Sequence, residues 1–327
     1  MKKLVLLCSV GLFFSCQSSK KEDLITIENE IVSIDTVVHD GKKLMETHCY
    51  LCHSPSAKEQ EGRIAPPMIA IKSRYLMDYK SKEDFTNAIV NFVENPTEEN
   101  AKMYGAIRKF GVMPKQVFPE GVAAQIADFM FDYQIEEPVW FKEHWQGHGN
   151  ENWTQPGKKV VLVEKQKTYE EIGLEYALAT KKLLGENLMG TIQKQGTLEA
   201  LAFCNIQAMP LTDSMSAKYN ATIKRVSDKN RNPNNKANTE ELVYIEQFKK
   251  QLADEKEPKP VMVDKGETVQ FYYPIPTNTM CLQCHGKPND INPAVRAKTL
   301  KLYPNDLAIG YVENEVRGIW SITFNKN

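Results

Sequence analysis

Cys49-Tyr50-Leu51-Cys52-His53 and Cys281-Leu282-Gln283-Cys284-His285 are the two stretches on which the reading of this chain turns. Both spell C-x-x-C-H. On one turn of helix, cysteines three apart lie on the same side, where their thiols can add to the two vinyl groups of one haem while the adjoining histidine reaches the iron. Structural zinc also uses C-x-x-C, but it requires four nitrogen or sulfur ligands in one cluster, and each motif would have to borrow from the other, about 230 residues away. A thioredoxin-like redox pair is the remaining alternative; neither motif sits in a βαβ context, and both carry the histidine. The spacing therefore predicts two covalently bound haem c groups, attached through Cys49 and Cys52 and through Cys281 and Cys284, with His53 and His285 as iron ligands.

The other three of the seven cysteines need separate explanations. The chain opens Met1-Lys2-Lys3, continues with an apolar run from Leu4 to Phe14, and then reads Ser15-Cys16. A charged start, a short apolar core and a small residue before the cut make an export signal, too short for a membrane helix. Phe13-Phe14-Ser15-Cys16 resembles a bacterial lipobox, with phenylalanines where Leu and Ala are usual. The expectation is a signal peptide over 1–15 that removes Cys8, a lipidated Cys16, a tether over 16–37, and a mature protein anchored in the cell envelope on the periplasmic side; a plain signal peptide or a short N-terminal anchor is the alternative. No later run approaches the roughly 20 apolar residues that cross a bilayer. Cys204 is left over, and an unpaired thiol in an exported protein requires a reason.

Composition sets the outer bounds. With 327 residues, 42% hydrophobic and 25% charged, the chain has the make-up of globular material of roughly two domains, which excludes disorder, collagen-like repeats and coiled coils. Lys+Arg 41 against Asp+Glu 42 leaves no basic excess for phosphates, so no nucleic-acid partner is expected.

Around the first motif, residues 41–48 read as an amphipathic helix running into the attachment site, and residues 120–133 repeat apolar side chains every three or four positions. The stretch they bracket, 38–137, resembles a small class I cytochrome c, an all-α domain in which the two terminal helices pack beside the haem. In that family a methionine from a late loop is the sixth ligand, and Met113 in Phe110-Gly111-Val112-Met113-Pro114 stands where that loop falls. Met68, Met77, Met103 and Met130 compete, each equally suited to core filling; Met68 follows Ala65-Pro66-Pro67, which resembles the early loop lining the haem pocket. His39 and His48 are read as solvated. Residues 138–167, with Trp140, Trp145 and Trp153 and with His144 and His148, read as a connector packed across a domain seam, with covering of a haem edge or ligation of iron as the alternative.

From Thr168 a helical stripe runs through Ile172, Tyr176, Ala179, Leu183 and Leu184, with breaks expected at Gly190 and Gly196 before a second helix around 198–205. Strand signals follow at 222–226 and 269–273, and 308–312 with 318–324 reads as a closing antiparallel hairpin. Helices followed by an antiparallel sheet make an α+β order. Over 168–327 the residues Phe203-Cys204-Asn205, Arg225-Val226-Ser227, Arg231-Asn232-Pro233-Asn234, Tyr273-Pro274-Ile275, Cys281 to Gly286, Gly310-Tyr311 and Arg317-Gly318 resemble a c-haem-binding domain of PAS-like fold, a family named as a domain of unknown function. The turn Glu313-Asn314-Glu315, where that family often has glycine, and Met209-Pro210 after the helix cysteine depart from its pattern. The resemblance implies a multidomain chain and a cysteine as the sixth ligand opposite His285, at Cys204; a buried free thiol in a core helix is the alternative. Arg225 and Arg231 are candidates to pair with haem propionates, against surface salt bridges or loop anchoring.

A thioether ligand raises a haem's potential and a thiolate lowers it, so the two sites should differ. Filled axial positions leave none open for substrate, and neither a Ser-His-Asp triad nor a nucleotide loop is present. The expected function is a lipid-tethered dihaem electron carrier, not an enzyme, passing single electrons between redox protein partners. The alternatives are a haem-based redox or gas sensor acting through ligand release, against which no transmitter segment follows Asn327, and a peroxidase-type enzyme with one five-coordinate haem.

Overall fold

The computed structural model describes residues 39–60, 63–149, 153–160 and 166–326; the expected signal peptide, Cys16 and the tether lie outside the described residues. Among the described residues are eleven α-helices and one four-stranded antiparallel sheet, an α+β architecture. None of these helices is long and apolar enough to cross a membrane.

Helices α1 (Asp40–His48), α2 (Met68–Asp78), α3 (Lys82–Glu94), α4 (Tyr104–Phe110), α5 (Val122–Asp132) and α6 (Phe141–Gly147) make the N-terminal half. Met45, Ile69, Phe85, Ile126, Phe129 and Met130 meet in its core. Helices α1 and α5 cross at Gly41, where a Cβ would overlap the Gln125 carbonyl and sit 2.7 Å from Phe129 Cβ, so only glycine allows this approach. His39 is not solvated as expected. Its Nδ1 accepts from Gly41 N–H at 3.1 Å, capping α1, and its Nε2 reaches Asp128 of α5 at 3.3 Å.

The segment read as a connector belongs largely to this core. Phe141 is buried in it, Trp140, Trp145 and Trp153 pack against it, and Trp140 Nε1 donates to the Ala57 carbonyl at 2.7 Å. Residues 153–158 also close over Lys72, which is 0% exposed. Its ammonium donates to the carbonyls of Tyr133 at 2.6 Å and Pro156 at 2.9 Å and to Gln155 Oε1 at 3.3 Å, one acceptor for each N–H. Burial pulls the Lys72 pKa down to about 8, against the nearby Asp132 carboxylate.

The C-terminal half begins with α7 (Tyr169–Gln195), opened by a capping box between Thr168 and Glu171. It runs through Gly190 without the expected break, a single internal glycine costing only about 1 kcal/mol; the turn comes at Gly196, φ 84°. Helix α8 (Thr197–Tyr219) continues past Pro210, which deprives the carbonyl of Ile206, an exposed residue, of its donor. Then come β1 (Thr222–Val226), α9 (Thr239–Ala253), β2 (Val261–Asp264), β3 (Thr268–Pro276), α10 (Thr279–His285), α11 (Pro293–Leu302) and β4 (Val316–Asn325). Helices thus interleave with strands instead of all preceding them.

The sheet order is β1-β4-β3-β2. Phe271 faces Ile322 and Tyr273 faces Trp320 across β3 and β4, and these side chains pack on Leu174 and Ala177 of α7. The alternate residues Tyr272 and Ile319 pack on Ile245 and Phe248 of α9. The expected hairpin is absent. Both edges of β4 are taken, by β1 and by β3, so 308–312 has no strand to pair with and runs beside the second C-x-x-C-H motif instead.

Candidate functional site

The first motif continues α1 for one more turn. Cys52 N–H and His53 N–H both bond the Cys49 carbonyl, at 3.1 and 2.9 Å, which puts Cys49 and Cys52 on one side. His53 Nδ1 lies 2.7 Å from the Pro66 carbonyl. A carbonyl only accepts, so Nδ1 carries the proton and Nε2 keeps its lone pair. Burial lowers the His53 pKa and favours the neutral ring, the form that ligates metal. The carbonyl is held in turn, since Met68 N–H donates back to His53 O at 3.3 Å.

The second motif is built from different parts to the same end. Asn278 caps α10, accepting from Met280 N–H and Cys281 N–H and from Cys281 Sγ at 3.2 Å. His285 Nδ1 lies 2.7 Å from the Ala308 carbonyl, again leaving Nε2 free. The strip that was expected to be a strand supplies this acceptor, and it is pinned by Gly310 N–H to Gly286 O at 2.8 Å and by Tyr311 N–H to His285 O at 3.0 Å. Arg231 fixes both sides of the arrangement: Nε and Nη2 grip Asp306 at 3.1 and 2.9 Å, and Nη2 also donates to the Cys284 carbonyl at 2.6 Å. Asp306, with 2% of its side chain exposed, accepts from Ala308 N–H as well. Of the roles open to Arg231, loop anchoring is the one this geometry displays.

Cys204 of α8 stands near this second site. Burial raises its pKa, opposed by Arg225, Arg317 and Arg231 in that order, and it lies close enough to raise the Cys284 thiol, which burial pushes up to about 11. His285 is held well below the ordinary range by burial, then by Arg317 and Arg231. Arg225 is pulled down to about 10 by burial and by Arg317. Neither Arg225 nor Arg317 has an ion-pair partner among the described residues, and the two guanidiniums lie close enough to repel each other. Arg317 appeared in the sequence only as a resemblance to a pattern, and Asp306 gave no signal.

In the first half Met113 is half-buried in the loop between α4 and α5. Its rivals are otherwise placed: Met68 and Met130 are core residues, Met103 caps α4, and Met77 is exposed. His48 is bonded rather than solvated, its Nε2 lying 3.1 Å from Glu257 Oε1.

All five described cysteines are free, which leaves both thiol pairs available to add to a porphyrin. Each motif thus joins an unpaired i, i+3 thiol pair to a neutral imidazole with an oriented Nε2, the donor set of a covalently attached haem.

The family model described as Tll0287-like (Tll0287) matches residues 143–325, more than half of the chain, beginning inside α6. The crystal structure of the cyanobacterial haem protein Tll0287 is 21% identical to this chain, with a TM-score of 0.37, and the match covers 49% of this chain and 98% of that one. No curated protein matches the chain.

Proposed function

The chain belongs to the Tll0287-like family, and on that footing we propose that it is a dihaem c-type cytochrome that carries single electrons between protein partners. The observation that carries this reading is the repeated donor set: in each half a histidine gives Nδ1–H to a backbone carbonyl at 2.7 Å and presents Nε2 beside two free thiols. Haem iron, when bound, supplies a one-electron couple. In this reading residues 38–137 form a cytochrome c domain that attaches haem through Cys49 and Cys52 and ligates it with His53 and Met113. Residues 168–327 form a PAS-like domain that attaches haem through Cys281 and Cys284 and ligates it with His285 and Cys204.

The segment 138–167, a connector in sequence, seals the first domain. Arg225 and Arg317 receive the propionates, while Arg231 positions the loop that orients His285. Three arginines work against the burial that raises the Cys204 pKa, and bound iron would complete the shift to a thiolate; a thiolate ligand lowers a haem potential whereas the Met113 thioether raises one. Lipidated Cys16 holds the protein to the membrane on the periplasmic side.

The test is carbon monoxide addition to the reduced protein, made in cells with haem-attachment machinery. The carrier reading predicts two low-spin haems per chain, neither of which binds the gas. Rapid binding at one haem overturns it in favour of a sensor or a peroxidase.

A further inference from the structure

The two attachment sites do not face separate surfaces. Leu51, inside the first motif, packs so closely on α7 that a Cβ at Gly185 would overlap its side chain, and Lys182 Nζ donates to Ser56 Oγ at 2.7 Å. The loop after Met113 meets the second motif directly: Asn278 Nδ2 donates to Gln116 Oε1 at 3.1 Å, and Thr279 Oγ1 donates to the Lys115 carbonyl at 2.8 Å. Asn278 is also the acceptor for Cys281 Sγ. A continuous bonded path therefore links the Met113 loop to the second pair of thiols.

Within this seam stand two groups that neither site uses. Lys181 of α7 has no hydrogen-bond or ion-pair partner among the described residues; burial lowers its pKa, opposed by the nearby Cys52, Cys281, Glu257 and Cys49, which favour its charged form. Glu257 offers one oxygen to His48, next to Cys49, while its Oε2 is buried without a partner. An amine is thus placed beside three of the four haem-attaching sulfurs, with a carboxylate next to it, where a low dielectric keeps charges from being screened.

Resting on the dihaem reading above, we infer that Lys181 and Glu257 are positioning charges common to both haem sites, setting the two potentials together and making the sites one coupled unit. A positive charge favours the reduced state of a nearby iron and a negative charge favours the oxidised one. Replacing Lys181 therefore lowers both potentials, and neutralising Glu257 raises both.

Potentiometric titration followed by absorbance, on the intact holoprotein, tests this. Lys181→Met is expected to shift both midpoints downward and Glu257→Gln to shift both upward, with Lys181→Arg restoring the wild-type values. Lys182→Met, on the adjoining face of α7, is expected to leave at least one midpoint in place. A merely structural role would not produce opposite signs. If only one midpoint moves in the Lys181 and Glu257 variants, or none, or both variants shift the same way, the inference is wrong. Intact mass of the same samples separates this from failure of the dihaem reading: fewer than two haems per chain rejects that reading, whereas two haems with uncoupled midpoints reject only the shared charges.

Discussion

His53 and His285 each give Nδ1–H to a carbonyl 2.7 Å away, Pro66 in one half and Ala308 in the other, yet the means of holding that carbonyl differ. Pro66 sits in a proline pair just before α2, stiffened by its ring and by the return bond from Met68 N–H. Ala308 lies in an irregular strip whose position depends on the Arg231–Asp306 ion pair. The charges differ as well: the second site gathers Arg225, Arg231 and Arg317, whereas the first has an apolar core beside it. The same imidazole orientation is thus reached by backbone rigidity in one case and by buried electrostatics in the other, and the two sites should break in different ways.

The largest effects come from the thiols. Replacing Cys49 and Cys52 together with Ala should remove one haem per chain, and replacing Cys281 and Cys284 should remove the other, each read as a halved haem absorbance per protein. Axial variants sharpen the contrast without removing haem. Cys204→Ala should raise the potential of the second site only and Met113→Ala should lower that of the first only, since the thiolate favours ferric iron and the thioether ferrous. Visible spectra resolved by potential would show which site changed; a change at neither would mean that the sixth ligands lie elsewhere.

Stability should follow the same division. Asp306→Asn breaks a buried ion pair and should cost about 3–5 kcal/mol in denaturant unfolding, with the second haem's spectrum perturbed and the first unchanged. Lys72→Met takes the ammonium donor away from the Tyr133 and Pro156 carbonyls and from Gln155 Oε1, which keeps only the Ile135 N–H, and should cost about 1–3 kcal/mol while leaving the second site's spectrum intact. Equal perturbation of both sites by either variant would contradict the division.

Much of this was legible locally. The motifs, α1, α5, β1, β3 and β4 follow from short-range spacing of apolar and thiol residues. The strip 308–312 did not, because its branched and aromatic side chains match a strand while its backbone groups are spent on His285 and Gly286 and the neighbouring strand already has both edges paired. The tryptophans of 140–153 misled because their packing partner is the core formed earlier in the chain, not a seam. Arg231 was visible as a cation, but its anchoring role needs Asp306, 75 residues on, and that pairing has no local signature. Lys181 was hidden for the same reason, its neighbours coming from 49–52, 257 and 281.

The central claim is that the chain binds two haems covalently, one at each motif. Intact-mass spectrometry of protein made in cells with haem-attachment machinery tests it most directly. The account predicts the polypeptide plus the mass of two haems; apoprotein, or a single haem adduct, would contradict it.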